Sequence, residues 1–309
     1  MKKKLWIIVL LTISLSILAI VVDSFYLSIK RLDINYVTLS SLQIPNSHDD
    51  LSIARITDLE YGTYLQKNQL SKYQKKLENL QPDIILFAGD MFDTNYLVKE
   101  QDKQAVKNFL SSLDAPYGKF AVLGEMDTLQ QELVEKILYD AHFEIIENKV
   151  MRIRKDTQDY IYLIGLPALS NATVDVSSLF ADIGEEAYVM ALCHTPDIMS
   201  YLPPTHVDVL FSGHSHGFQV NLPLIGGTEK LVGNENHTLG LNHIDGVRIY
   251  VSKGLGTTKH NVRLFADPEI PIFRLKVKDW SIDQSSFLVS YDIYNLVFDN
   301  NYFTNCLTI

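Results

Sequence analysis

The feature that most constrains this chain is a set of apolar runs that each stop at an acidic or imidazole residue. Leu51 to Ile56 leads into Thr57-Asp58-Leu59-Glu60, and Asp83 to Ala88 into Gly89-Asp90-Met91-Phe92-Asp93. Lys119 to Leu123 leads into Gly124-Glu125-Met126-Asp127, and Tyr188 to Cys193 into His194-Thr195-Pro196-Asp197. Val207 to Phe211 leads into Ser212-Gly213-His214-Ser215-His216-Gly217. Helical patterns over Leu65–Leu80, Lys99–Leu113 and about Leu129–Ala141 come after the first three runs and separate them from the strands that succeed them. Runs without polar alternation are strands buried on both faces, which requires a sheet covered on both sides. In such α/β folds, ligand sites form beyond the carboxyl ends of the strands. Five strand ends carrying Asp, Glu or His are therefore five candidate contributions to one site. Further strands are predicted at Ile34–Ile44, Glu144–Glu147, Val150–Arg154, Tyr160–Leu166 and Ile249–Ser252.

The first 22 residues obey a different rule. Lys2, Lys3 and Lys4 precede Leu5 to Val22, an apolar stretch interrupted only by Thr12, Ser14 and Ser16. As a helix it spans roughly 27 Å, close to the hydrocarbon thickness of a bilayer. Cleaved signal peptides have shorter apolar cores and a small-residue cleavage site, and none is evident before Asp23. The preferred reading is an uncleaved single-pass anchor over residues 1–22, with a connector over 23–32. The lysines before the helix favour that end inside, which puts the remainder outside the cytoplasmic membrane. The net charge of −10 argues against a nucleic-acid partner, which would need clustered Lys and Arg. Two cysteines, Cys193 and Cys306, are too few for a disulfide framework.

The two histidines of the Gly213–Gly217 loop are bracketed by glycines, which let a backbone turn sharply and approach a ligand closely. Imidazoles on such a turn can reach two metal ions, or one ion and its substrate. Taken together, these blocks resemble the calcineurin-like metallophosphoesterase family. Its motifs, D-x-H, G-D-x-x-D, G-N-H-D/E, a lone His and G-H-x-H, appear in the same order as Asp58-Leu59-Glu60, Gly89 to Asp93, Gly124 to Asp127, His194, and Gly213 to His216. The resemblance covers roughly Asp33 to Leu275. It includes Ala115-Pro116-Tyr117-Gly118, Lys253-Gly254-Leu255-Gly256-Thr257-Thr258, Arg263-Leu264-Phe265 and Pro268-Glu269-Ile270. These late blocks look most like the membrane-associated bacterial branch.

The resemblance implies a four-layer αββα sandwich over residues 33–275. It also implies two divalent ions, Mn first, with Fe, Zn, Mg or Co as alternatives. Asp58, Glu60, Asp90 and His216 are assigned to one ion, and Asp90, Glu125, His194 and His214 to the other. A pair of divalent ions can bind phosphoryl oxygens, activate water and stabilise an in-line displacement. The expected activity is that of a phosphodiesterase or pyrophosphatase on an envelope lipid or cell-wall phosphate ester. Oligomeric state is left open.

Three positions depart from the family. Glu60 stands for His and Glu125 for Asn, which takes the formal ligand charge from about −2 to about −4. Met126 stands for the histidine that contacts phosphate and assists the leaving group, and a thioether donates no proton. Asp127 is the candidate catalytic residue in its place. Reduced turnover is one expectation, and a metal- or phosphate-binding sensor or scaffold is the alternative function. His142, His206, His237, His243 and His260 match no motif and are read as surface histidines, and Asp93 as a loop cap or a support for a ligand. The segment 276–309, rich in aromatic and β-branched residues, is read as an added strand or two, with a membrane-facing role as the alternative.

Overall fold

The computed structural model describes residues 2–155, 157–169, 176–202, 207–227, 239–244 and 246–278. Helix α1 (Lys2–Val22) buries none of its residues against the rest of the chain, and it is long and apolar enough to cross a membrane. The predicted connector is not extended. It continues as one π-type turn over Asp23–Leu27 and a 3-10 turn over Ser28–Lys30.

Beyond it come β1 (Asp33–Ser41), β2 (Ser52–Ile56), α2 (Lys67–Leu80), β3 (Ile84–Ala88) and α3 (Glu100–Ser112). Next are β4 (Lys119–Val122), α4 (Gln131–Asp140), β5 (Glu144–Ile145), β6 (Lys149–Arg154), β7 (Tyr160–Gly165), α5 (Ser177–Phe180) and β8 (Val189–Leu192). The series closes with β9 (Val209–Ser212), β10 (Asn221–Leu222), β11 (Gly226–Gly227), β12 (Gly240–Ile244), β13 (Val247–Val251) and β14 (Glu269–Val277).

Two six-stranded sheets result, ordered β1-β14-β2-β3-β4-β5 and β12-β13-β9-β8-β7-β6. Three apolar layers hold them. Leu70, Tyr73, Leu77, Val106, Phe109 and Ile137 of α2, α3 and α4 cover the outer face of the first sheet. Ile53, Leu86, Leu163, Met190, Phe211 and Phe273 fill the space between the sheets. Val176, Phe180, Ile198 and Met199 cover the outer face of the second sheet. The expected four layers are present, although the last is thin among the described residues: α5 is one turn and Pro196–Tyr201 is a 3-10 segment.

Parallel register is what builds the site. Ile53 pairs with Ile84 and Ile85 with Lys119, so β2, β3 and β4 end at one edge. Likewise Leu163 pairs with Met190 and Ala191 with Leu210, so β7, β8 and β9 end together. Strands β3, β8 and β9 are buried on both faces, as the lack of alternation requires.

Sequence patterning missed three features. β14 lies between β1 and β2, parallel to the first and antiparallel to the second, and it runs two residues past Leu275. The β10–β11 hairpin and β12 are short and half-exposed, with no apolar signal. The third helix begins as a 3-10 turn, Asp127–Gln130, before α4. His206, His237 and residues 279–309 lie outside the described residues, so the readings placed on them stay as expectations.

Candidate metal centre

The loops after β2, β3, β4 and β9 line one cleft of about 380 Å³, and the loop after β8 brings His194 to the buried side of the same cluster. Asp90 Oδ2 lies 3.2 Å from His194 Nε2, and Glu125 Oε2 lies 3.5 Å from the same nitrogen. Glu125 Oε1 is 2.6 Å from His214 Nδ1, and the two imidazoles approach to 3.3 Å. A second group forms alongside, with His216 Nε2 3.6 Å from both Asp58 Oδ1 and Glu60 Oε1. Asp58 Oδ1 links the two groups, 4.0 Å from His194 Nε2. All seven residues expected to bind metal are thus gathered from loops up to 158 positions apart in sequence, between Asp58 and His216.

The backbone bends to do this. Asp58, Glu60, Asp90, His214 and His216 all have φ between 47° and 64°, a left-handed conformation that costs a residue with a side chain about 1–2 kcal/mol. Five of the seven candidate ligands carry this strain, which concentrates where function constrains the chain. Two glycines allow the close approach. A Cβ on Gly124 would overlap the Asp90 carboxylate, and one on Gly213 would overlap Thr57 and the Asp58 carboxylate.

Neighbouring groups fix the orientation of the donors. His194 Nδ1 donates to the Ala88 carbonyl at 2.6 Å, which leaves Nε2 directed at Asp90 and Glu125, able to give its lone pair to a metal once its proton is lost. Asp58 accepts from the His214 backbone N–H at 2.9 Å. Asp127 lies in a different environment from the one expected of a proton donor. It is buried, and its two oxygens accept from the backbone N–H groups of Asp90 and Met91, both at 2.8 Å, and of Gly124 at 2.9 Å. Those three bonds tie the β3 loop to the β4 loop. Met126 is exposed on the cleft wall, and its N–H donates to Asp90 Oδ1 at 3.2 Å.

The electrostatics call for cations. Burial, followed by the Asp90 and Asp58 carboxylates, pushes Glu60 well above the ordinary carboxyl range. Burial and Asp90 push Asp127 up to about 7. Burial opposes the charged form of His194, but Asp90 and Glu125 outweigh it and hold the imidazole well above its usual value. Glu125 is also buried, yet His194 and His214 keep it down at about 2. Glu125 Oε2 is buried without a hydrogen-bond partner, although it faces His194 Nε2. A buried carboxylate left in this state carries a desolvation cost that a cation would relieve. Donor atoms of Asp90, His194 and His214 lie within 4.8 Å of one another, which suits a single ion. Mixed oxygen and nitrogen donors favour Mn, Fe, Zn or Co over Ca.

One wall residue, Lys259, was not singled out from the sequence, and His260, read there as a surface histidine, is exposed and lines the same cleft. They come soon after the Lys253-Gly254-Leu255-Gly256 block, but nothing in their spacing marks them. His142 and His243 are exposed and stand outside the cleft lining. Arg263, fully buried, donates to the carbonyls of His216 (3.3 Å), Lys253 (2.9 Å) and Ala266 (2.6 Å), and so pins the histidine loop from behind.

Comparison with known proteins agrees with this geometry. The chain is 26 % identical over 253 residues to an uncharacterized metallophosphoesterase, YkuE, of Bacillus subtilis, covering 81 % of this chain and 88 % of the relative. It is 29 % identical over 283 residues to LpxG of Chlamydia muridarum, named a UDP-2,3-diacylglucosamine pyrophosphatase, covering 72 % and 83 %. A third relative, the phosphodiesterase YaeI of Escherichia coli, is 25 % identical over 227 residues, covering 71 % and 80 %. The sequence model of calcineurin-like phosphoesterases matches residues 51–218, from the start of β2 to just past the paired histidines. Because that match spans more than half of the 309 residues and encloses every loop that brings a candidate ligand to the cleft, the chain belongs to the calcineurin-like phosphoesterase family.

Proposed function

We propose that the protein is a dinuclear-metal phosphohydrolase, a phosphodiesterase or pyrophosphatase acting on an envelope lipid or a cell-wall phosphate ester. It is held to the membrane by α1 with its folded domain outside the cytoplasm. The single observation that carries this reading is the gathering of four carboxylates and three imidazoles into one cleft, with Glu125 Oε2 buried and unpaired. The name of LpxG supports a lipid-linked pyrophosphate as the substrate class.

Within this reading, Asp58, Glu60 and His216 hold one ion, Glu125, His194 and His214 the other, and Asp90 both. Mn is the first expectation. The chemistry such ions supply is charge neutralisation at phosphoryl oxygens and a lowered pKa for water. The chain's own residues do the rest. Ala88 keeps the His194 proton on Nδ1, away from the cleft. Asp127 acts as a positioning residue, because its oxygens are committed to three backbone N–H groups. Lys259 provides a positive charge on the cleft wall against which an anionic ester can rest, with His260 beside it.

A second reading, a metal- or phosphate-binding protein with little turnover, is favoured by Met126. It occupies the wall where proton donation to the leaving group is expected, and a thioether cannot supply it. General acid help of this kind is worth about 10²–10⁴ in rate. One experiment separates the two readings. The full chain, purified in detergent, is assayed for bound metal and for hydrolysis of an aryl phosphodiester with Mn²⁺ added. The hydrolase predicts two ions and metal-dependent release. Two ions without release would support the second reading, and a protein that retains no transition metal would end both.

A further inference from the structure

We propose that the lysine face of α2 is a docking surface for the anionic lipid headgroups of the membrane that α1 crosses. The inference rests on reading α1 as an anchor. The chain carries a net charge of −10, yet α2 exposes Lys67, Lys72, Lys75 and Lys76. Its opposite face, Leu70, Tyr73 and Leu77, is buried against the first sheet. Asn68, Ser71, Lys72, Lys75 and Asn79 recur at helical spacing and line a shallow groove together with Leu32, the residue just past the connector's last turn. Among the described residues, none of these four lysines forms an ion pair. A positive stripe on an acidic protein, left without internal counter-charges, calls for an external anion.

The stem of the anchor fixes which anion is near. Lys72 Nζ donates to the Lys30 carbonyl, so the stripe begins where the stem ends. The stem is latched to the domain at several points. Arg31 holds Asp23 at 2.6 and 2.9 Å and also pairs with Asp267, Ser28 donates to Asp267, and Arg263 N–H donates to the Ser24 carbonyl at 3.0 Å. Only Asp23–Lys30 separates α1 from that junction, a rise of roughly 12–16 Å for helical turns. Phe25 and Tyr26 are exposed just past the last residue of α1, the level at which aromatic side chains mark a membrane surface. A lysine stripe starting there lies within about two screening lengths of the end of α1, each about 8–10 Å at physiological salt. Anionic lipid attracts basic residues placed in this way. The consequence is a second contact beside the anchor, which sets the orientation of the domain on the bilayer.

The test uses the full chain with Cys306→Ser and a fluorophore on Asn79→Cys, at the far end of the stripe. Cys193 is fully buried, so labelling stays at position 79. The protein is placed in phosphatidylcholine vesicles, with or without phosphatidylglycerol, that carry a headgroup nitroxide lipid. Flotation with the neutral vesicles checks the anchor first. Quenching is expected to be at least about twofold greater in the anionic vesicles at ~0.1 M salt, and to fall to the neutral level at ~1 M salt. It should also fall in Lys72→Gln/Lys75→Gln/Lys76→Gln, with metal content unchanged. Equal quenching in both vesicle types in protein that floats overturns the docking surface and leaves the anchor standing. Quenching that survives the triple substitution overturns the assignment to α2. A chain that does not float removes the anchor and the proposal with it.

Discussion

The loops above the first sheet bring only carboxylates to the candidate ligand set, Asp58, Glu60, Asp90 and Glu125, whereas those above the second bring only imidazoles, His194, His214 and His216. Each half is poor alone. Burial, and after it their mutual repulsion, raises the proton affinity of crowded carboxylates such as Glu60 and Asp127. The imidazoles depend on those carboxylates for their charge balance, as His194 demonstrates. Packing the sheets face to face joins the halves and leaves an excess of negative charge that divalent cations would offset.

The largest way to break this complementarity is at Asp90, the residue proposed to serve both ions. Asp90→Asn is expected to cut metal-dependent hydrolysis by at least about 10³-fold, since even groups that only orient a ligand are worth 10–100-fold in affinity or activity. Metal content should fall by one or both ions in the same sample. Retention of two ions with full activity would remove Asp90 from the centre.

A smaller change sharpens the contrast from the carboxylate side, which lacks the imidazole that the family carries at Met126. Met126→His should raise turnover of an ester with a poor leaving group by about 10²-fold. It should raise turnover of an aryl phosphodiester much less, because that leaving group needs little protonation. Equal gains on both substrates would argue against proton donation.

The smallest effect is on the stability of metal-free protein. Glu60, Asp127, His194 and His214 all have folded pKa values above their unfolded ones, so the folded state binds protons that the unfolded chain releases. Stability therefore falls as pH rises, for Asp127 from its ordinary 3.8 through about 7. His216, held down by burial, opposes this below 6.5, and Glu125 acts only between about 2 and 4.5. The melting temperature of metal-free protein should thus drop by several degrees between about pH 5 and about pH 8, with a shallower slope in Glu60→Gln. Saturating Mn²⁺ should reverse the trend, because ligands lose protons to bind metal. A flat profile in metal-free protein would show that the carboxylates do not crowd as their geometry implies.

Much of this was legible because strand burial leaves a strong mark. The runs ending at Ile56, Ala88 and Phe211 cannot face water, and their polar successors cannot stay inside without a partner. β14 escaped notice because it reads as a loop-to-strand segment opened by Pro268 and holding Pro271, although it takes a position between β1 and β2. The role of Asp127 was hidden for another reason. A carboxylate beside a catalytic motif looks reactive in sequence, and only its three backbone bonds reveal that its oxygens are engaged. The place of Lys259 and His260 on the cleft wall was not legible because a loop side chain carries no periodicity.

By itself the sequence determined the α/β class, the apolar N-terminal helix and the acid and imidazole residues at strand ends, since burial and hydrogen-bond satisfaction leave few alternatives for such runs. Tertiary structure alone decided which of those residues meet. Parallel register aligned the strand ends, face-to-face packing set the imidazoles against the carboxylates, and left-handed backbone at five of the candidate ligand positions turned the side chains toward one another. Distances between loops more than a hundred residues apart depend on that packing, and no local pattern encodes them.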